Sequence, residues 1–244
     1  GRDHCQRALQ LARKWRDSLS VIWLLTDLAE LELLDHVPDR TPGEAPDDIA
    51  IRDAIRAART YLEEAASLLE PAGQYVVRSR LHQLQARCAA TPQQAVALME
   101  RALAAAVEGC LPEREWSCLS ELGIYRLAAG DSAGALESQL AAIEVVESLR
   151  RNVGVDELRR HMLRPALGPY ERAITLLLDI GTEDARRQAL AISERSRAQI
   201  LASRLKTAQL GDRSADRDST RLREHALMSR IAYVQVESPD AGLP

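Results

Sequence analysis

Residues Glu121–Glu144 read ELGIYRLAAGDSAGALESQLAAIE, and where this stretch places its small residues decides the fold. Its apolar residues recur at three and four on both sides of a Gly130–Asp131 break, as on two helices joined by a tight turn. Gly123, Ala135 and Ala142 are separated by 12 and 7 residues (135 − 123 and 142 − 135), which sets a small residue in the middle of one helix against one alanine that opens the second and another two turns on. Antiparallel helices cross most closely at such points, and a side chain larger than a methyl would push their axes apart. The stretch predicts a helix hairpin and carries nothing that does chemistry.

The same two alanines recur at Ala95 and Ala102, each 40 residues before its counterpart (135 − 95 and 142 − 102), with a weaker copy in DAIRAARTYLEEAASLL. Self-similarity at a fixed period marks a repeat array. Helical periodicity continues through nearly the whole chain, and strand-like alternation is almost absent. The punctuation predicts about ten helices. The first two run from His4 to Asp17 and from Ser18 to His36, followed by a loop holding Pro38, Pro42 and Pro46, with Asp47 or Asp48 capping a helix from Ile49 to Leu69. Gly73 is suited to the left-handed conformation of a helix stop.

A helix from Gln74 to Ala89 is followed by TPQQ, where Thr91 caps, Pro92 fits the first turn and Gln94 reaches back. Helices from Pro92 to Glu108, Pro112 to Ala129 and Ser132 to Arg151 come next, the last capped by Asp131. Asp156 opens a further segment that Pro165 and Pro169 should break near Arg164 to Gly168, because an interior proline removes a backbone hydrogen bond. Gly181 closes it, Thr182 caps a helix to Gln209, and a polar stretch GDRSADRD precedes a last helix from Ser219 to Val236.

Composition narrows the function classes. Apolar residues make up 46% of the 244, enough for a core, whereas aromatics make up 3% with no Phe, as expected of closely packed helices rich in Leu and Ala. The net charge of −4 comes from 32 basic and 36 acidic residues mixed along the chain, without the basic patch that nucleic acid needs. LSVIWLLTDLAELELL is broken by Asp27, Glu30 and Glu32 and falls short of a membrane span, so no membrane contact is expected. The opening on Gly1 reads as a cut through a longer polypeptide, and no signal peptide is visible.

Cys5, Cys88, Cys110 and Cys118 form no C-x-x-C pair and the five histidines have no metal-ligand spacing, so neither a metal nor a cofactor is expected, and unpaired thiols suit a cytoplasmic location. His4 and Cys5 are the only adjacent imidazole and thiol, but neighbours on a helix point about 100° apart and make a poor nucleophile–base pair. No catalytic residue is predicted.

Leu122, Gly123, Tyr125, Gly130, Asp131, Ala135 and Ala142 carry a pattern that resembles the tetratricopeptide repeat, with a longer repeat than usual and the aromatic one place early. The resemblance implies an all-α superhelical array of antiparallel hairpins, an α-solenoid, over residues 1–210. A polar linker and the start of another helix would fill 211–244. Such arrays line a concave groove with the first helix of each hairpin and bind protein or peptide segments there.

VESLRRNVGVDELRRHMLRPALGPYERAITLLLDIG with ALAISERSRAQILASRL is similar to the segment that joins tetratricopeptide repeats to a caspase-like domain in bacterial CHAT-domain proteins, through Glu147, Leu149, Arg150, Tyr170, Leu176, Leu177, Leu178, Gly181, Glu194, Arg195, Ser196, Arg197, Ala198 and Leu201. That resemblance implies a C-terminal peptidase domain on the same polypeptide as a second partner, with Glu194, Arg195 and Arg197 as docking residues. For the groove, Arg80 and Arg87 stand seven residues apart on one predicted helix face and would favour acidic ligands. The expected function is a protein-binding or sensing scaffold. The alternative is the effector- or partner-binding repeat region of a signal-responsive transcription regulator.

Overall fold

The computed structural model describes residues 1–36, 48–70, 73–152 and 167–198, and every regular element among them is helical. In chain order these are α1 (Arg2–Trp15), α2 (Ser18–His36), α3 (Ile49–Leu68), α4 (Tyr75–Arg87), α5 (Pro92–Glu108), α6 (Pro112–Ala128), α7 (Ser132–Asn152), α8 (Gly168–Ile180) and α9 (183–198). The chain divides into two compact units, Gly1–Ser193 and Glu194–Pro244. The Pro38–Pro46 loop, Asp156, Pro165, the boundary at 210 and the helix from Ser219 lie outside the described residues.

Helix ends follow the predicted capping chemistry. Asp48 Oδ1 accepts from the Ala50 amide at 2.8 Å, Asp131 Oδ1 from Gly134 at 2.8 Å and Thr182 Oγ1 from Ala185 at 3.2 Å. Thr91 Oγ1 accepts from Gln94, whose own side chain accepts from the Ala90 amide, one residue before the cap itself. Gly130 and Gly181 take positive φ of 87° and 72° at the ends of α6 and α8. Gly73 also has positive φ, but α3 ends on an extended Leu69; the glycine belongs to the entry of α4, where Gln74 is left-handed as well. Pro169 sits in the first turn of α8, as expected of a new helix start.

Consecutive helices pack in pairs: α2 with α3, α4 with α5, and α6 with α7. Side-chain contacts set the direction of the last pair, since Arg126 meets Gly134 and Ser138 while Ser120, earlier in α6, meets Gln139, later in α7. One helix therefore descends as the other ascends. The pairs are stacked on one another, because α5 also packs on α6, α7 on α8, and α4 on both α2 and α3.

The small residues sit where the hairpin reading requires them. Ala95, Ala102, Ala135 and Ala142 are each fully buried. A methyl placed on Gly123 would come 2.2 Å from Gln139 Nε2 and 3.1 Å from the Ala135 carbonyl oxygen, so that crossing tolerates only hydrogen there. Tyr125 is buried in the α4–α6 cluster with Met99, Cys118 and Leu122. The apolar run of α2 is explained by neighbours on several sides: Val21, Ile22, Leu25, Leu28 and Leu33 join a core with α1, α3 and α4. A third cluster joins α7, α8 and the start of α9 through Ile143, Tyr170, Leu177 and Ala189. No helix among the described residues is long and apolar enough to cross a membrane.

Candidate functional site

Helices α2, α4 and α6, the first of each pair, and α8 are linked by polar contacts, beginning with Arg80 on α4. Arg80 donates to Glu30 and reaches Asp27 Oδ1 at 2.7 Å, both on α2, and its guanidinium lies 5.5 Å from the Trp23 ring centroid. Only 15% of the side chain is exposed. Burial disfavours the charge, and the two carboxylates outweigh it, so Arg80 is held firmly as a cation. The predicted groove arginine is thus engaged by α2 on three sides.

Arg87, the second predicted residue, reaches across the other side of α4. Its Nη2 donates to Glu121 Oε1 on α6 at 2.9 Å, and Gln83 Nε2 donates to the same oxygen at 2.7 Å. Gln83 also reaches Ser117 Oγ at 3.4 Å, which extends the polar seam along α6. Arg87 is buried enough to disfavour its charge, and Glu121 again outweighs that cost. The seven-residue spacing therefore puts Arg80 and Arg87 on one helix as expected, but each ties α4 to a neighbouring first helix.

Two further arginines complete the row and were not singled out from the sequence. Arg114, in the first turn of α6, is half-buried, and among the described residues no carboxylate pairs with it. Burial disfavours its charge, Arg80 adds repulsion, and its pKa falls below the ordinary arginine value although Cys118 and Glu30 oppose the shift. Arg172 on α8 is half-buried as well and donates to the Ser120 hydroxyl at 3.0 Å. Its charge too is disfavoured by burial, with Glu121 and Glu171 opposing only in part. Gly168 leaves room for this placement, since a methyl there would stand 2.9 Å from Arg172 Nη1.

Cys118 is fully buried beside Ser79, 3.7 Å from its hydroxyl, and burial pushes its pKa up to about 11. Cys110 is exposed just after α5, His4 is exposed on α1, and all four cysteines are free. No group of three metal-ligating side chains occurs among the described residues. In the second compact unit, Arg197 Nη1 pairs with Glu194 Oε1 at 3.0 Å, both well exposed, and Arg195 is engaged in a contact of its own.

The row carries half-buried guanidinium and amide groups on adjacent helices, with hydroxyls between them. Neither a protein-family model nor a curated protein matches the chain.

Proposed function

We propose that this chain is a protein-interaction scaffold: a tetratricopeptide-like superhelical array whose first helices line a groove for a protein or peptide segment. The observation that carries the reading is the run of polar contacts that links α2, α4, α6 and α8. Its seam contacts run from Asp27 and Glu30 to Arg80, from Gln83 and Arg87 to Glu121, and from Ser120 to Arg172. A polar row of this kind suits an extended ligand, whose backbone and side chains need hydrogen-bond partners along its length. The stacking of α5 on both α4 and α6 favours the same arrangement, because each hairpin then leans on the next.

The sequence resemblance extends the proposal. The scaffold belongs to a CHAT-type protein of a bacterial cytoplasm, where it senses a partner and controls a caspase-like domain of the same polypeptide through Glu194, Arg195 and Arg197. A photo-crosslinking residue at Ser117, on the row, tests the scaffold reading when compared with one at the exposed Val107 of α5. Crosslinks to a defined protein from position 117 and none from 107 are expected. Equal crosslinking from both positions, or none from 117, would contradict it.

A further inference from the structure

Helix α1 precedes the first of the stacked pairs and buries Leu9 and Ala12 in the core formed with α2 and α3, with Cys5 half-buried on the same side. Its other large apolar residues stay outside that core: Leu11 is 57% exposed and Trp15 78%. Their spacing of four puts them on one helix face, and Arg7 and Lys14, four and three residues from Leu11, share it. The cations of α1 divide by side. Arg2 pairs with Glu32 of α2 at 2.6 Å and Arg13 with Glu64 of α3 at 2.5 Å, so the neighbouring helices supply their counter-charges. Arg7 and Lys14 are exposed and make no ion pair among the described residues, and Asp3, the one carboxylate of α1, pairs with neither. A single exposed leucine is ordinary, but an adjoining Leu–Trp pair framed by unpaired cations marks a contact surface. The outer helix of a stacked array ordinarily turns a polar side to water, which α1 does not do here.

We infer that the face of α1 carrying Arg7, Leu11, Lys14 and Trp15 docks an amphipathic helix of a partner protein, its apolar stripe flanked by Asp or Glu. Charge selects this occupant. A second copy meeting through the same face would set two groups of Arg7 and Lys14 against each other. A lipid surface would call for a wider apolar sector, because α2 and α3 already hold the other side of α1. A helix fits what remains: residues at three and four along it receive Leu11 and Trp15 between them. Arg7 and Lys14 stand seven residues apart (14 − 7), about 10 Å along the axis at about 1.5 Å per residue, and carboxylates two turns apart on the partner helix match them. Tryptophan and arginine are also the side chains that most often anchor protein contacts. Helix α1 takes no part in the row of polar contacts, so this surface does not depend on the groove reading.

The test uses the full chain and a fluorescein-labelled synthetic helix of Leu, Ala and Glu, with Leu at every third or fourth position and Glu on both flanks. Beside it stand a counterpart with Lys in place of Glu and vesicles of phosphatidylglycerol and phosphatidylcholine. Anisotropy should show binding of the Glu helix that weakens with salt and falls about tenfold or more in Leu11→Ser/Trp15→Ser, as for the loss of an aromatic anchor. Arg7→Gln/Lys14→Gln should weaken it about threefold or more, and Arg56→Gln, on an exposed pair of α3, should leave it unchanged. Both double variants should melt with the parent, because the side chains they replace are exposed, so lost binding reports the face and not the fold.

Equal affinity for the Glu and Lys helices, full affinity in Leu11→Ser/Trp15→Ser, or tighter association with the vesicles than with the Glu helix would each overturn the inference. A dimer in sedimentation that Leu11→Ser/Trp15→Ser splits would overturn it as well, by giving the face to a second copy.

Discussion

Replacing Gly123 with Ala in the middle of a helix ordinarily adds stability, about 1 kcal/mol from helix propensity alone. At this position the added methyl would sit 2.2 Å from Gln139 Nε2, 3.0 Å from Gln139 Cδ and 3.1 Å from the carbonyl oxygen of Ala135. The amide can swing aside only by giving up its 2.9 Å hydrogen bond to the Ser120 carbonyl, and Gln139 is 1% exposed, with an Oε1 that already lacks a partner. The Ala135 oxygen belongs to the backbone of α7 and cannot rotate away. Overpacking of this kind costs about 1–3 kcal/mol, and stranding a buried amide adds about 1–3 kcal/mol. Set against the propensity gain, Gly123→Ala should lose roughly 1–5 kcal/mol, a fall in Tm on the order of 2–4 °C per kcal/mol for a domain of this size. Calorimetry of the single variant and of Gly123→Ala/Gln139→Ala checks the cause, since the double variant removes the clashing amide and should recover most of the loss. A Gly123→Ala protein that melts at or above the parent would refute the close crossing of α6 and α7.

Three further outcomes follow from the packing and the buried groups. Ala95→Leu and Ala135→Leu should each cost about 1–3 kcal/mol, because both sites are fully buried and stand at equivalent points of two hairpins, whereas Ala104→Leu on the exposed side of α5 should be near neutral in urea unfolding. Iodoacetamide at pH 8 should modify the exposed Cys110 first and reach Cys118, whose thiol is held neutral by burial with a pKa of about 11, only after unfolding; mass spectrometry of the native protein reads the order. Burial disfavours the imidazolium of His82 and the guanidiniums of Arg101 and Arg78 push the same way, so its pKa lies below the ordinary value despite the contact with Gln85. The unfolded chain therefore takes up this proton first as the pH falls; stability is full above about pH 6.5 and declines below it, and His82→Gln should flatten that decline in denaturant midpoints.

Much of the fold was legible because its determinants are local. Thr91, Asp131, Thr182, Gly130 and Gly181 stop or start helices through contacts with residues only two to four positions away, and the small residues of one hairpin sit within 20 residues of each other. The left-handed Gly73 was legible as a conformation but not as a role, since α3 ends earlier at Leu69. The site was legible only in part. Arg80 and Arg87 share a helix face by spacing, but their partners are set by how one hairpin stacks on the next, and Glu30 is 50 residues from Arg80.

One signal was available for part of the seam: Gln83–Ser117 and Arg87–Glu121 are both 34 residues apart, a fixed separation between neighbouring first helices. Ser120 and Arg172 are 52 apart, with a long connection between, so no repeat length could pair them. That no carboxylate pairs with Arg114 among the described residues could not be read from sequence, because it is a property of packing.

The most direct test of the central claim is photo-crosslinking of the full chain from Ser117, on the row, and from Val107, exposed on α5. The account predicts crosslinks to a defined protein from position 117 and none from 107. Equal crosslinking from both positions, or none from 117, would contradict it.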